Sequence, residues 1–301
     1  MPHLTVDLSV VVPFYNEEGN IRALYREMKK TLDAVRRDYE FVLVDDGSQD
    51  QTGAILDEIA RADRRTRVVH LAPNQGEAAA LSAGFREARG RIIVTLDGDG
   101  QNDPQDIPAL LAKLEQGYAV VTGRRRERRE NYWARVLPSR LANGLIARVT
   151  GVPVHDCGCG LKVYRSEVIS GVYLPHGMHR FLPAILPVAA GAVAEIDVAD
   201  RARQSGQSHY GLRRVFSVIR DLLPVRWIRR GQSRAERSVI RALSLATLAF
   251  VLISGSMLST RTPVKLAASF IAGIGAFYFV IALKRVREFT RSQLRSRQEQ
   301  E

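Results

Sequence analysis

Cysteine is scarce in this chain: Cys157 and Cys159 are the only two among 301 residues. They sit too close together for an easy disulfide, and in a cytoplasmic setting both thiols stay reduced. With His155 as the nearest further donor, they fall short of the four ligands that zinc prefers. The N-terminus lacks a basic region followed by an apolar one, so no secretory leader is expected. A glycine-rich dinucleotide cradle is also missing. After the first apolar run comes Phe14-Tyr15-Asn16-Glu17-Glu18 rather than G-x-G-x-x-G, which excludes the usual dinucleotide fold. Acidic residues are outnumbered, 32 against 44 basic ones, for a formal net charge of +12. Such a balance suits nucleic acid, anionic lipid or phosphorylated substrates.

The distribution of that charge argues for lipid and phosphorylated substrates, with no nucleic-acid partner. Two stretches, 124–148 and 201–237, are rich in arginine, and the second runs into the most apolar part of the chain. Residues 242–260 are uncharged and long enough to span a bilayer; 266–283 form a second run near the lower limit. Thr260-Arg261-Thr262-Pro263 between them reads as a tight turn, so the pair is a transmembrane hairpin. Arg226, Arg229, Arg230, Arg234, Arg237 and Arg241 precede it, and Lys284, Arg285, Arg287, Arg291 and Arg295 follow it. The positive-inside rule then puts both flanks in the cytoplasm. A buried helical hairpin of a soluble domain is the alternative. Ser269-x-x-x-Gly273 and Ala272-x-x-x-Ala276 permit close helix packing, and so a homo-oligomer.

The N-terminal two thirds alternates strands and helices. Apolar runs at 8–13, 40–44, 67–71, 92–96, 118–122 and 193–198 read as strands. Helical spacing follows the first (Ile21, Leu24, Met28, Leu32), the second (Ile55, Ile59) and the third (an alanine-rich stretch at 77–88). Alternation of this kind predicts a parallel, doubly wound α/β sheet, whose ligands bind at the carboxyl ends of the strands. Three polar clusters lie at such ends: Pro13 to Tyr15, Asp45-Asp46, and Asp97-Gly98-Asp99. Residues i and i+2 of an extended segment point the same way, so Asp97 and Asp99 can share a divalent cation. Hard oxygen ligands suit Mg²⁺ or Mn²⁺, which in turn would clamp a diphosphate. The alternative for the triplet is plain turn chemistry. The basic segment 124–148 carries Trp133, Leu137, Leu141 and Leu145 on one helical face, as a membrane-surface helix does.

The motifs, taken in order, are V-V-V-P-F-Y-N-E-E at 10–18, V-D-D-G-S at 44–48, N-Q-G at 74–76 and L-D-G-D-G-Q-N-D-P at 96–104. This series resembles inverting family-2 glycosyltransferases of the GT-A fold. With D-C-G-C-G-L-K at 156–162, G-Q-S-H-Y-G at 206–211 and the two apolar runs, the chain looks like a polyprenyl-phosphate glycosyltransferase. That group contains dolichyl-phosphate mannose synthase and the undecaprenyl-phosphate sugar transferases. Two departures stand out. The family metal motif often reads D-A-D-L-Q, against Asp97-Gly98-Asp99-Gly100-Gln101 here. Arg226-Trp227 resembles part of the Q-x-x-R-W of processive polysaccharide synthases, but residue 223 is Leu.

The resemblance implies a GT-A, Rossmann-like catalytic domain over 1–211 on the cytoplasmic side. Amphipathic juxtamembrane helices at 212–238, two transmembrane helices at 239–284 and a cytoplasmic tail at 285–301 would follow. It implies a metal-dependent transfer of one sugar from a UDP- or GDP-sugar to a polyprenyl phosphate, with undecaprenyl phosphate the expected acceptor. The setting would be the bacterial inner membrane, and the product a sugar donor for glycan or lipopolysaccharide modification. A different acceptor, such as a glycan or a diacylglycerol, and a non-catalytic binding homologue are the alternatives.

By motif match, Asp45 meets the nucleobase, bordered by Pro13, Tyr15 and Glu17, with Gln75, Gly98 and Arg203 also on the nucleotide-sugar. The alternative for this region is that Asp46 and Ser48 cap the next helix. Asp97, Asp99 and Gln101 form the metal set, Asp97 lying nearer the ribose or sugar and counted with Asp156 as catalytic. Asp156 would act as general base or as an orienting group; a structural turn residue is the alternative. Arg124 and Arg140 are candidates for gripping the acceptor phosphate, because a guanidinium fork matches phosphate geometry. The alternative is that these arginines only meet anionic lipid headgroups, as several among Arg125, Arg126, Arg128 and Arg129 are expected to. Ser208 and His209 lie in a loop expected over the diphosphate, although His209 alone reads as a surface histidine.

Overall fold

The computed structural model describes residues 6–125, 144, 146–148 and, apart from 153, 170, 171, 173, 175, 176 and 187, the run 151–201. Arg140, Arg203, Ser208, His209 and both apolar runs lie outside the described residues. Among the described residues no helix is long and apolar enough to cross a membrane.

The chain runs β1 (Val6–Phe14), α1 (Ile21–Val35), β2 (Tyr39–Asp45), α2 (Thr52–Ala62), β3 (Thr66–His70), α3 (Glu77–Glu87) and β4 (Gly90–Thr95). Then come α4 (Ile107–Glu115), β5 (Val120–Arg125), β6 (Lys162–Arg165) and β7 (Val193–Val198), with single helical turns between. The seven strands make one sheet in the order β3-β2-β1-β4-β6-β5-β7.

β-Branched runs such as Val10-Val11-Val12 favour a central strand covered on both faces. The faces separate by the two-residue period. Leu8, Val10, Val12 and Phe14 of β1 and Phe41 and Leu43 of β2 pack with α1, α2 and α4. Val11, Val42 and Val44 pack on the other side with α3. α1 buries Ile21, Leu24, Tyr25, Met28 and Leu32, one stripe at helical spacing. α3 buries mostly small residues, Ala78, Ala80, Ser82, Ala83 and Gly84. A Cβ on its Gly84 would stand 2.3 Å from Val11 Cγ1, so small residues let this helix lie unusually close to the sheet.

One expectation needs correction: the sheet is mixed, not wholly parallel. β1, β2, β3 and β4 are mutually parallel, but β6 runs antiparallel to both β4 and β5. Lys162–Arg165 follows directly from a turn beside the end of β4, so it must run back down the sheet. No helical crossover separates it from that turn, and a parallel pairing needs one.

Strand order reverses between β1 and β4, with β2 and β3 on one side and β6, β5 and β7 on the other. Such a switch point opens a crevice at the carboxyl ends of the strands. In the register Phe14 pairs with Asp45 and Val11 with Thr95, so both expected acidic clusters stand at this crevice.

Candidate active site

The wall beside β1 and β2 is two loops laced together. Asn16 takes a left-handed backbone, φ 54°. Its amide donates to Ser48 Oγ at 3.0 Å, and its side-chain oxygen accepts from the Gln49 amide at 2.8 Å. The Glu17 amide donates to Thr52 Oγ1 at 2.9 Å, while Glu17 Oε2 accepts from Asn20 Nδ2 at 2.6 Å. Between these anchors Tyr15 stands exposed, an aromatic face at the mouth of the crevice.

Asp45 and Asp46 are both buried and do different work. Asp45 Oδ1 accepts from the Ser48 amide at 3.0 Å, and Oδ2 lies 3.1 Å from His70 Nδ1. Asp46 accepts from the Gln75 and Gly76 amides, each at 2.8 Å, and from Asn74 Nδ2 at 3.0 Å. It thereby ties the N-Q-G loop to the end of β2. Burial raises the Asp46 carboxyl above its ordinary value, and the two amides counter it. The helix-cap alternative for this pair is replaced. The Thr52 amide that opens α2 goes to Asp50 Oδ1 at 2.9 Å. Gly47, with φ 70°, must stay small because a Cβ there would reach 2.6 Å from the Asn74 amide.

Beyond β4, the Asp97 amide donates to Asn102 Oδ1 at 3.2 Å and the Gln101 amide to Asp99 Oδ1 at 3.0 Å. Gly98 presses on the end of β1: a Cβ there would lie 2.5 Å from Phe14 Cδ1 and 2.7 Å from the Pro13 oxygen. The closest approach is at Gly160. Its Cβ would lie 2.2 Å from the Asp97 carboxylate atoms, so only glycine lets the turn from Asp156 rest on Asp97. Asp97 is partly buried. Loss of water pushes its carboxyl up to about 8; Glu77 and Asp99 add to the rise, and Lys162 and Arg125 oppose it. A cavity of about 10 Å³, room for one water, opens beside it between Glu77, Thr95, Lys162, Tyr164 and His179. His179 Nε2 lies 3.2 Å from Glu77 Oε2.

Among the described residues no three His, Cys, Asp or Glu side chains converge as a metal cage. The expected set is two carboxylates and one amide. That is adequate for Mg²⁺ or Mn²⁺, which keep waters and complete their shell with substrate phosphates. Asp97 stands with Glu77 and Asp99, both near enough to act on its carboxyl, in a group of acidic side chains that such a cation fits.

Asp156 is buried and fully engaged. Arg125 clamps it with both arms, Nε to Oδ2 at 2.8 Å and Nη2 to Oδ1 at 3.0 Å. Glu195 of β7 accepts the Asp156 and His155 amides, both at 2.9 Å, and lies 2.8 Å from His155 Nδ1. Burial opposes the Arg125 charge, but Asp156 more than offsets it and holds the guanidinium above its ordinary value. Arg124, the neighbour expected to grip phosphate, points elsewhere: it pairs at 2.6 Å with Asp197, its register partner on β7. Consecutive strand residues face opposite ways, so one arginine takes the inner position and the other the outer. Sequence reasoning placed Arg125 only in a group of arginines of which several were expected at lipid headgroups. The signal that could have found it is the extension of β5 through both arginines. Lys162, Glu195, His70 and Gly160 were also missed as site residues. Both thiols are buried, and burial pushes each up to about 12, which leaves them unreactive.

Asp200 and Arg201 meet the loop that follows β4. The Arg201 amide donates to the Gln101 oxygen at 3.0 Å, and its guanidinium meets Asp103 at 2.7 Å. Asn102 forms a bridge with Asp200.

Residues 9–172, which carry every one of these strand-end carboxylates, match the profile of glycosyl transferase family 2. The chain belongs to that family. This glycosyltransferase is 41% identical over 237 residues to dodecaprenyl-phosphate galacturonate synthase of Rhizobium johnstonii, covering 77% of this chain and 70% of the relative. It is also 41% identical over 217 residues to undecaprenyl-phosphate 4-deoxy-4-formamido-L-arabinose transferase of Edwardsiella ictaluri, covering 72% and 66%. The chain thus spans about two thirds of the length of such relatives, which are named as polyprenyl-phosphate sugar transferases. Among solved structures it resembles glucosyl-3-phosphoglycerate synthase from Mycobacterium tuberculosis in complex with UDP. The TM-score is 0.56 at 21% identity, over 74% of this chain and 80% of that one. The same enzyme with Mn²⁺, UDP-glucose and phosphoglyceric acid gives 0.55. At that identity the likeness speaks for the fold, a GT-A type nucleotide-sugar transferase with a mixed sheet.

Proposed function

We propose that this glycosyltransferase moves one sugar from a UDP- or GDP-linked donor to a polyprenyl phosphate, such as undecaprenyl phosphate, at the cytoplasmic face of a bacterial membrane. One observation carries the reading. Gly160 rests on the Asp97 carboxylate, so the turn holding Asp156 and its partner Arg125 adjoins the D-G-D motif. The two named relatives at 41% identity supply the acceptor class.

On this reading Asp45 meets the nucleobase, with Pro13, Tyr15, Glu17, Gln75 and Gly98 around the nucleotide. Asp97, Asp99 and Gln101 hold Mg²⁺ or Mn²⁺, which would neutralise the departing nucleoside diphosphate. The acceptor phosphate is anionic at neutral pH and needs no base. Asp156, with both oxygens held by Arg125, is suited to orient that guanidinium rather than to take a proton. Arg124, half-exposed in its pair with Asp197, can turn its charge to the acceptor phosphate, and Arg125 adds positive charge beside the D-G-D motif. Arg140 would join them, and Arg203, Ser208 and His209 would close over the diphosphate. The lipid phosphate oxygen attacks the anomeric carbon opposite the leaving group. The bond to the nucleoside diphosphate breaks as the new one forms, and the centre inverts. Residues 1–211 form the catalytic part, 212–238 the juxtamembrane part, 239–284 two spans and 285–301 the tail.

The test uses the full chain in detergent with Mn²⁺ or Mg²⁺, undecaprenyl phosphate and radiolabelled UDP- and GDP-sugars. Metal-dependent label in the organic phase is expected from one donor. Label that reaches only a glycan or diacylglycerol acceptor would reject the polyprenyl phosphate.

A further inference from the structure

His70, at the carboxyl end of β3, is bracketed by two carboxylates. Nδ1 lies 3.1 Å from Asp45 Oδ2 and Nε2 lies 3.0 Å from Asp57 Oδ1 on α2. Asp45 and His70 are register partners on neighbouring parallel strands, and the Leu71 amide donates to the Asp45 oxygen at 2.8 Å. The chain leaves room for this bridge. A Cβ on Gly53, in the first turn of α2, would stand 2.8 Å from Asp45 Oδ2 and 3.5 Å from His70 Cε1.

An ionised carboxylate only accepts hydrogen bonds, and a neutral imidazole carries one N–H. With a carboxylate at each ring nitrogen, both contacts are hydrogen bonds only when the ring is an imidazolium. Asp57 and Asp45 both favour that form, and together they outweigh the opposing effect of burial, so His70 stays charged above the ordinary imidazole range. Among the described residues these two are the charged groups that act on the ring, one from α2 and one from β2. The Asp45 carboxylate is then fixed at both oxygens, by the Ser48 amide on Oδ1 and by His70 on Oδ2. A second lone pair on each oxygen is left for a ligand N–H.

We propose that His70 is a positioning residue for the nucleotide: its imidazolium, anchored on Asp57, holds the Asp45 carboxylate oriented to accept the ring N–H of uracil or guanine. The inference rests on the reading that Asp45 meets the base. Deprotonation of His70 turns one of its two N–H contacts into a lone pair facing a carboxylate. With the remaining proton on Nε2, Asp45 keeps only the Ser48 amide, its Oδ2 is no longer held, and nucleotide affinity falls while the chemistry of transfer is untouched.

The test is the affinity of the full-length protein in detergent for UDP and for GDP, with Mn²⁺ present, by titration calorimetry from about pH 6 to 8.5. The dissociation constant of the better-bound nucleotide should rise about three- to tenfold across that range, the size expected of a part-exposed ion pair. In His70→Asn an amide nitrogen stands where Nδ1 stood and does not titrate, so the rise should vanish. In Asp57→Asn one of the two carboxylates that favour the imidazolium is gone, and the rise should begin at lower pH. The titration of the nucleotide itself is common to all proteins and cancels in the ratio. A His70→Asn profile that parallels the wild type overturns the proposal. If His70→Asn does not fold, an unchanged onset in Asp57→Asn does the same. Asp45→Asn separates the two levels. If it binds both nucleotides like the wild type, the base-binding reading of Asp45 fails; if it weakens binding while His70→Asn keeps the wild-type slope, only the role of His70 fails.

Discussion

Replacement of Arg125 by methionine isolates the pair on which the acceptor side of the site is built. The substitution keeps the apolar stem of the side chain but removes the guanidinium from the Asp156 carboxylate, whose side chain is only 3% exposed. Removal of one partner from a buried ion pair costs about 3–5 kcal/mol, because the remaining charge loses that counter-ion and stays buried. For a domain of this size each kcal/mol lowers Tm by about 2–4 °C, so a drop of about 6–20 °C is expected. Loss of both partners, in Arg125→Met with Asp156→Leu, should return most of that stability, since an apolar pair pays no desolvation. Turnover should stay lost in both variants. Thermal melts in detergent, run beside label transfer to lipid, separate the effects. Arg124→Gln is the control. Its pair with Asp197 is half-exposed, a class worth at most about 1 kcal/mol, so its melt should hardly move. Arg125→Met melting within about 2 °C of the wild type, or transferring sugar at the wild-type rate, would refute the reasoning.

Other outcomes follow from the same geometry. Gly160→Ala should abolish turnover by displacing the Asp97 carboxylate, while overpacking costs only about 1–3 kcal/mol of stability; unimpaired transfer would show that the turn need not touch Asp97. Asp99→Ala should lose metal-stimulated turnover yet melt close to the wild type, and metal titration of the rate decides the point. Asp63 is held well below the ordinary carboxylate range: burial works against its charge, but Lys29, Arg65 and Tyr25 more than offset it. A depressed acid stabilises above its unfolded pKa and loses that effect as pH falls towards the folded value. The Tm advantage of wild type over Asp63→Asn should therefore be full near neutrality and shrink below about pH 4; an advantage that grows in acid contradicts the assignment.

Much of this protein was legible in one dimension. The valine run of β1, the helical stripe Ile21-Leu24-Met28-Leu32 and the carboxylates at strand ends are local patterns, set by the two-residue and 3.6-residue periods. They sufficed to predict an α/β sheet with Asp45, Asp97 and Asp99 at one edge, and the motifs that accompany them indicated the family. Strand ends drifted by a residue or more: β5 was expected at 118–122 and runs Val120–Arg125. That small shift mattered, because it brings both arginines into the strand.

Only the tertiary structure could decide what non-local contacts decide. Arg124 and Arg125 are chemically identical neighbours; which one meets Asp156 depends on the face of β5 that packs inward and on β7 supplying Asp197 to the other. The direction of β6 depends on two strands far from it in sequence. Gly160 reads as an ordinary turn glycine until the Asp97 carboxylate is found against it. His70 looks like a strand-end histidine until Asp45 and Asp57 arrive from two other elements. The sequence by itself determined which residue types stand at the ends of which strands, because secondary structure follows from periodicity within a few turns of chain. Partnership among those residues was left to the fold, because burial and close approach join atoms that the sequence holds far apart.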